Sequence, residues 1–176
     1  MNTALGGAFT SRINMNLRED KHWSYGAGSG VRYARGPRLF VASAGVQSDK
    51  TAESMVEIRR ELADFIGARP ITEQELRAVR ADLVLGMAGG WETNAAVAGD
   101  LARMLLQGLP EDYFDNYAAA VNAATVNSAT AAARQVIGDG ARIWVVVGDR
   151  ASIEPRIRAL NIGEVIVVDT QGRPIQ

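Results

Sequence analysis

Residues 5–31, LGGAFTSRINMNLREDKHWSYGAGSGV, form the stretch that decides the fold. Its first half predicts an amphipathic helix, because apolar residues recur there every four positions and make one stripe for a core. That stripe consists of Leu5, Phe9, Ile13 and Leu17. From Tyr25 onward the residues alternate as in a strand and are rich in glycine. Glycine is poor in strands unless another backbone packs closely, so we expect a helix or a substrate backbone against this strand.

Polar donors stand on both sides of the turn between the predicted helix and the predicted strand. Arg18 lies near the end of the helix and Tyr25 near the start of the strand. Two donors on the rims of two packed elements are expected to face one groove. Plainer roles remain open for both: Arg18 as a solvated cation favoured by the helix dipole, and Tyr25 as a strand aromatic packed in the core.

The rest of the chain alternates between strand and helix patterns. Apolar runs predict strands at 39–47, 143–147 and 164–169, the second of them buried. Apolar spacings of three and four predict helices at 51–66, 72–88, 93–107, 113–120, 127–136 and 152–160. This order predicts an α/β sandwich with a largely antiparallel sheet, covered by helices mostly on one face.

Finer details of these elements also follow from the pattern. The first strand is expected to reach Tyr33, followed by a turn at 35–38. Asp49 or Ser48 is expected to cap helix 51–66, and Ser152 the last helix. Thr72 and Glu75 are expected to form a capping box at the start of helix 72–88. The inner face of helix 93–107 is expected to consist of Val97, Leu101, Met104 and Leu105.

The composition excludes several classes of protein. A chain of 176 residues with 47% hydrophobic content suits one globular domain. The net charge of −1 gives no bulk attraction to nucleic acid or to an anionic membrane. The lack of cysteine excludes disulfides and thiolate metal sites. No apolar run approaches the ~20 residues of a membrane span, and the first residues lack the pattern of a signal peptide, so the compartment stays open.

The residues do not support a metal or nucleotide site on this chain. Catalytic zinc needs several imidazole or carboxylate ligands, whereas His22 is the single histidine and no H-x-x-E-H motif occurs. We interpret His22 as a surface residue and expect no cofactor on the chain. The segment VVVGD at 145–149 lacks the glycine pattern of a nucleotide-binding turn.

Three segments together resemble one known family. They are residues 5–31, residues 91–117 (WETNAAVAGDLARMLLQGLPEDYFDNY) and residues 141–169 (ARIWVVVGDRASIEPRIRALNIGEVIVVD). In this order they resemble the C-terminal, non-zinc domain of the M16 metallopeptidases, the family of insulinase, pitrilysin and the mitochondrial processing peptidase. The resemblance implies the M16 metallopeptidase fold, with 1–176 as a single domain that lacks its N-terminal strand and a preceding domain. A missing strand leaves an open sheet edge, so we expect self-association.

The resemblance also implies roles for particular residues. In the M16 family an arginine and a tyrosine form the R/Y pair, which contacts the substrate backbone near the metal. The matching residues here are Arg18 and Tyr25, which are therefore implied to bind substrate. Zinc is implied on a partner domain or subunit that carries H-x-x-E-H, the substrate is implied to be a peptide or unfolded protein, and the chain alone is implied to be inactive. Some M16 relatives are non-proteolytic structural subunits, and that alternative, or a stand-alone peptide-binding module, stays open.

Overall fold

Helices dominate the described part of the chain, and its one sheet has two antiparallel strands. The computed structural model describes residues 1–32, 34, 36–138 and 142–175. In chain order, the elements are a π-helical turn (Thr3–Gly7), α1 (Arg12–Asn14), a second π-helical turn (Met15–Asp20), β1 (Ser24–Val31), β2 (Phe40–Val46), a 3-10 turn (Ser48–Lys50), α2 (Thr51–Ile66), α3 (Glu73–Gly90), α4 (Asn94–Gln107), α5 (Tyr113–Ala123), α6 (Val126–Ile137) and α7 (Arg150–Ala159). Tyr33 and Arg35, on which part of the predicted strand and turn fall, lie outside the described residues.

The prediction of one continuous helix at the start is wrong, because the chain breaks there into separate helical segments. Three positions of the predicted stripe are at most 1% exposed, but Phe9 is 58% exposed. The backbone is extended at Ala8 (φ −122°, ψ 164°) and again at Ser11 (φ −68°, ψ 152°). The chain therefore turns between these residues, and the side chain of Phe9 leaves the stripe.

The glycines of β1 admit the close backbone approach that the sequence predicts, and the approaching element is the first π-helical turn. A Cβ atom built on Gly28 would lie 2.7 Å from the carbonyl oxygen of Gly6. A Cβ atom on Gly6 would meet both the backbone and the side chain of Ser29. Only glycine at both positions lets the helical turn pack this closely on the strand.

We expect Gly28→Ala to destabilise the fold by about 1–3 kcal/mol, because the added methyl group forces the helical turn away from β1. Urea unfolding followed by circular dichroism measures this change. Gly30→Ala is the matched control in the same strand, since a Cβ atom there has no neighbour within 4 Å. Equal destabilisation by both substitutions would show that strand propensity, and not the close contact, sets the effect.

The hydrophobic core lies between the sheet and helices α2, α3 and α6. Its buried members include Leu5, Ile13, Leu17, Ile58, Leu62, Phe65, Ile71, Leu76, Val79, Ala129 and Ala133. The strands contribute the partly buried side chains Ala27, Phe40, Ala42 and Ala44. The predicted arrangement of helices packed against an antiparallel sheet is thus confirmed for β1, β2 and the helices around them. Within the described residues, no helix is long and apolar enough to cross a membrane.

The two later predicted strands do not join the sheet. Ile143, Val145 and Val147 are 84–93% exposed, and only Trp144 of this segment packs against the core. Near the end of the chain, a single bridge joins Val168 and Pro174. The prediction of a buried strand at 143–147 is wrong, because a strand needs a neighbour for its N–H and C=O groups and no described segment supplies one.

The helices begin and end close to their predicted limits, but the inner face predicted for α4 is wrong. Of its four expected interior residues only Met104 is buried, whereas Leu101 is 54% and Leu105 81% exposed. The helical period was correct, but no described element packs broadly on α4 to cover that face.

Side-chain caps follow the prediction at one helix and depart from it at two. The capping box of Thr72 and Glu75 at the start of α3 is confirmed. The start of α2 has no side-chain cap, because the turn Ser48–Lys50 leads directly into it. Asp149, and not Ser152, caps α7.

Candidate functional site

The fold brings together the two residues that the sequence singled out. The guanidinium carbon of Arg18 lies 5.0 Å from the centre of the Tyr25 ring. Tyr25 is 89% exposed, so the alternative that it packs in the core is wrong. The Arg18 side chain is 30% exposed and lies 3.3 Å from a carboxylate oxygen of Glu19.

Arg18 is held by a wide helical turn. In the segment Met15–Asp20, the N–H of Lys21 donates to the carbonyl of Asn16 at 3.0 Å, which is the i→i−5 bond of a π-helix. Leu17 is 1% exposed and anchors the turn in the core beside Arg18. Single π-helical turns are rare and occur frequently at functional sites.

Tyr25 is directed outward by a β-bulge. Ser24 pairs with Val46 and Gly26 pairs with Gly45, so Tyr25 is an extra residue with no partner on β2. A bulge interrupts the alternation of a strand and re-aims a side chain. It explains why Tyr25 is exposed although the period-two pattern places it on the same face as the partly buried Ala27.

The hydroxyl of Ser24 closes this bulge. Its oxygen accepts the N–H of Gly26 at 3.0 Å and lies 2.7 Å and 2.8 Å from the carbonyl oxygens of Gly26 and Gly45. Both strands are therefore joined at the bulge through one side chain.

We expect Ser24→Ala to cost about 1 kcal/mol of stability and to expose the Gly26 amide, because the hydroxyl that accepts this N–H is lost. Amide hydrogen exchange at Gly26 measures the local opening, and urea unfolding measures the stability. Ser43→Ala on β2 is the control, since Ser43 is exposed and its hydroxyl has no hydrogen bond within the described residues. An unchanged exchange rate at Gly26 in the Ser24 variant would contradict the role of the Ser24 hydroxyl in closing the bulge.

A third residue, which the sequence placed in the core, belongs to the same surface. The Phe9 ring centre lies 4.5 Å from the guanidinium carbon of Arg18. The polar pair Thr10-Ser11 directly after Phe9 is the signal that was available in the sequence, because such pairs favour turns over a continued helix.

His22 supports the connection between the two elements. It has a left-handed backbone (φ 57°), and its Nδ1 lies 3.1 Å from the carbonyl oxygen of Arg18. The side-chain amide of Gln47 donates to the carbonyl of His22 at 3.1 Å. Across the described residues, no three histidine, cysteine or acidic side chains come together in a way that could hold a metal ion.

A large open cavity of about 740 Å³ lies beside Arg12, Glu61 and Glu75, and Met15, Asn16 and Asp20 of the turn that carries Arg18 also line it. Two ion pairs occupy four of its charged groups: Arg12 with Glu75 at 2.6 Å, and Arg69 with Glu61 at 3.1 Å. Neither Arg18 nor Tyr25 lines it. The candidate site is therefore the exposed surface of Phe9, Arg18 and Tyr25, which we call the Arg18 surface.

Comparison with known proteins finds a family model that matches the first part of the chain. Residues 1–83 match the family model described as the peptidase M16 inactive domain. Comparison with curated proteins gives no match.

Solved structures share the fold. The chain is similar to the peptidase M16 inactive domain from Pseudomonas fluorescens (22% identity, TM-score 0.70, covering 77% of this chain and 32% of that one). It is also similar to a protease from Helicobacter pylori (20% identity, TM-score 0.67, covering 78% of this chain and 33% of that one). A third similar structure is a conserved protein from Enterococcus faecalis (22% identity, TM-score 0.65, covering 76% of this chain and 31% of that one). The chain thus spans about a third of the length of the solved structures it matches.

Proposed function

We propose that the chain is the non-zinc half of an M16-type metallopeptidase and contributes substrate contacts to peptide hydrolysis, because residues 1–83 match the family model of the peptidase M16 inactive domain. The zinc site lies on a partner domain or subunit that carries H-x-x-E-H. The substrate is a peptide or an extended segment of an unfolded protein. Alone, the chain is inactive.

The observation that carries this proposal is the placement of Arg18 beside Tyr25. A substrate carbonyl oxygen gains negative charge as its carbon becomes tetrahedral, and fixed donors aimed at that oxygen stabilise the transition state. Arg18 presents a cationic donor on a turn anchored by buried Leu17. Tyr25 is 89% exposed, and its hydroxyl has no hydrogen-bond partner within the described residues. Both groups are therefore available to the same carbonyl.

The donor set of this chain does not fit zinc, because His22 is its single imidazole and no cluster of three histidine or acidic side chains forms among the described residues. Zinc held by the partner would activate water and polarise the scissile carbonyl. The part assigned to this chain is limited to its own residues: Arg18 and Tyr25 bind and orient the substrate backbone and donate to its carbonyl oxygen.

The experiment that tests the assembly is a pull-down of the chain from native extract, read by mass spectrometry and by hydrolysis of an internally quenched peptide. We expect a partner with H-x-x-E-H and hydrolysis that a zinc chelator abolishes, while the chain alone stays inactive. Partners that all lack the motif would favour the alternative of a non-proteolytic structural subunit. Tight binding of unstructured peptides by the chain alone would favour a stand-alone peptide-binding module. Self-association stays a prediction, for sedimentation to test.

A further inference from the structure

We infer that Phe9 is a positioning residue for Arg18. Its ring holds the Arg18 guanidinium beside Tyr25 and keeps the guanidinium N–H groups directed at the substrate. This inference rests on the proposed function, since Arg18 is the group that meets the substrate. Phe9 itself acts through Arg18.

The geometry places the guanidinium close to two aromatic rings. Its carbon lies 4.5 Å from the centre of Phe9 and 5.0 Å from the centre of Tyr25. Both distances fall within the ~6 Å range of cation–π attraction. A guanidinium uses its flat faces for such contacts, so the two rings do not block its N–H groups, which lie at the edge of the plane.

The exposed position of Phe9 is structurally fixed, because its backbone is hydrogen-bonded through Asn14 to the strand that carries Tyr25. Asn14 is 4% exposed and bridges the two segments. Its Nδ2 donates to the carbonyl of Phe9 at 2.7 Å, and its Oδ1 accepts the N–H of Ala27 at 3.0 Å. The backbone of Phe9 is thereby tied to the strand that carries Tyr25, and Arg18 contacts both aromatic rings.

Arg18 needs such support because it has a competing partner. Glu19 is adjacent in sequence and its carboxylate lies 3.3 Å from Nε of Arg18. An arginine side chain also has many rotamers, and every other populated rotamer lowers the fraction of molecules in which the guanidinium faces the substrate. Without the Phe9 ring, the guanidinium is expected to spend more time with Glu19 and in solvent.

The kinetic test uses the complete peptidase, including its zinc-bearing half. Phe9→Leu keeps apolar bulk but removes the aromatic face, and we expect kcat to fall about 5- to 30-fold with little change in KM. Phe9→Tyr should restore most of the rate, because it restores the ring. In an Arg18→Ala background, Phe9→Leu should have no further effect. An equal loss in that background, or no loss in the native background, would overturn the inference.

A second measurement on the chain itself does not depend on catalysis. Protons held over aromatic faces have shifted resonances, so the Arg18 Nε–Hε signal, assigned through Arg18→Lys, should move in Phe9→Leu while the remaining amide spectrum stays in place. If that signal does not move, the positioning role is wrong whatever the kinetics show. If it moves but Arg18→Ala leaves peptide turnover unchanged, the contact stands and the proposed function fails.

Discussion

Replacing Arg18 by alanine in the complete peptidase is expected to lower kcat for peptide hydrolysis about 100- to 1,000-fold, the range that follows from removing one preorganised donor to a developing oxyanion. The loss should appear mainly in kcat, because the interaction strengthens as charge develops on the carbonyl oxygen. Tyr25→Phe removes one hydroxyl and keeps the ring beside Arg18, so it isolates the second donor. Steady-state kinetics on an internally quenched peptide measure both effects.

Arg59→Ala is the matched control for this experiment. Arg59 is an exposed arginine on α2 with no ion pair within the described residues, so its loss removes the same charge without removing a member of the Arg18 surface. Circular dichroism should show every variant folded. Turnover that is unchanged in both Arg18→Ala and Tyr25→Phe, with folding intact, would remove catalytic assistance from the function of this chain and leave the scaffold alternative.

Arg12→Ala is expected to destabilise the chain by about 2 kcal/mol, because it removes charged hydrogen bonds within a partly buried ion pair. Arg12 donates to both carboxylate oxygens of Glu75 at 2.6 Å and 2.7 Å. It also donates to the backbone carbonyls of Arg69 and Pro70 and lies 4.9 Å from the centre of the Phe65 ring. One side chain therefore joins α1, the start of α3 and the core. Arg150→Ala is the control, since Arg150 is 54% exposed and its partner Glu154 keeps a second ion pair with Arg158, so little change is expected.

The pH dependence of this pair follows from the ionisation of Glu75. Burial by itself raises the pKa of that carboxyl, but hydrogen bonds from Arg12 and Thr72 outweigh it and hold the pKa below its usual value of 4.5. A carboxyl with a lowered pKa stabilises the fold above its unfolded pKa and loses that contribution as the pH falls through the folded pKa. The difference in unfolding free energy between native and Arg12→Ala chains should thus be constant from neutral pH to about pH 5 and shrink in stronger acid. Urea titrations at pH 7, 5 and 3.5 measure it; a difference that grows on acidification would contradict this account.

Sequence patterns predict the structure correctly where the local preference of the residues agrees with the tertiary packing around them. The period of α2 and the capping box of Thr72 and Glu75 are local features, and both are present. The strands β1 and β2 pair as expected because the short connection allows only an antiparallel hairpin. The proximity of Arg18 and Tyr25 followed from the same local argument.

The remaining features depend on long-range contacts that periodicity does not encode. The spacing of Phe9 fits a core stripe, but the extended backbone on both sides turns it to the surface. The alternation of β1 places Tyr25 inward, and a bulge of one residue reverses it. Leu105 lies on the apolar face of α4, yet that face stays uncovered because no described element packs broadly on it.

The uncovered segment 143–147 has a consequence for how the chain behaves before it is fully folded. Its residues, IWVVV, combine high β-propensity with no charge and no proline, which is the signature of segments that stack into cross-β fibrils. Arg142 stands directly before this run, and Asp149 follows shortly after it. Charges at the borders of such a run act as gatekeepers, because stacking identical copies would bring like charges together. We therefore expect Arg142 and Asp149, which take no part in the Arg18 surface, to oppose fibril formation before the chain has folded.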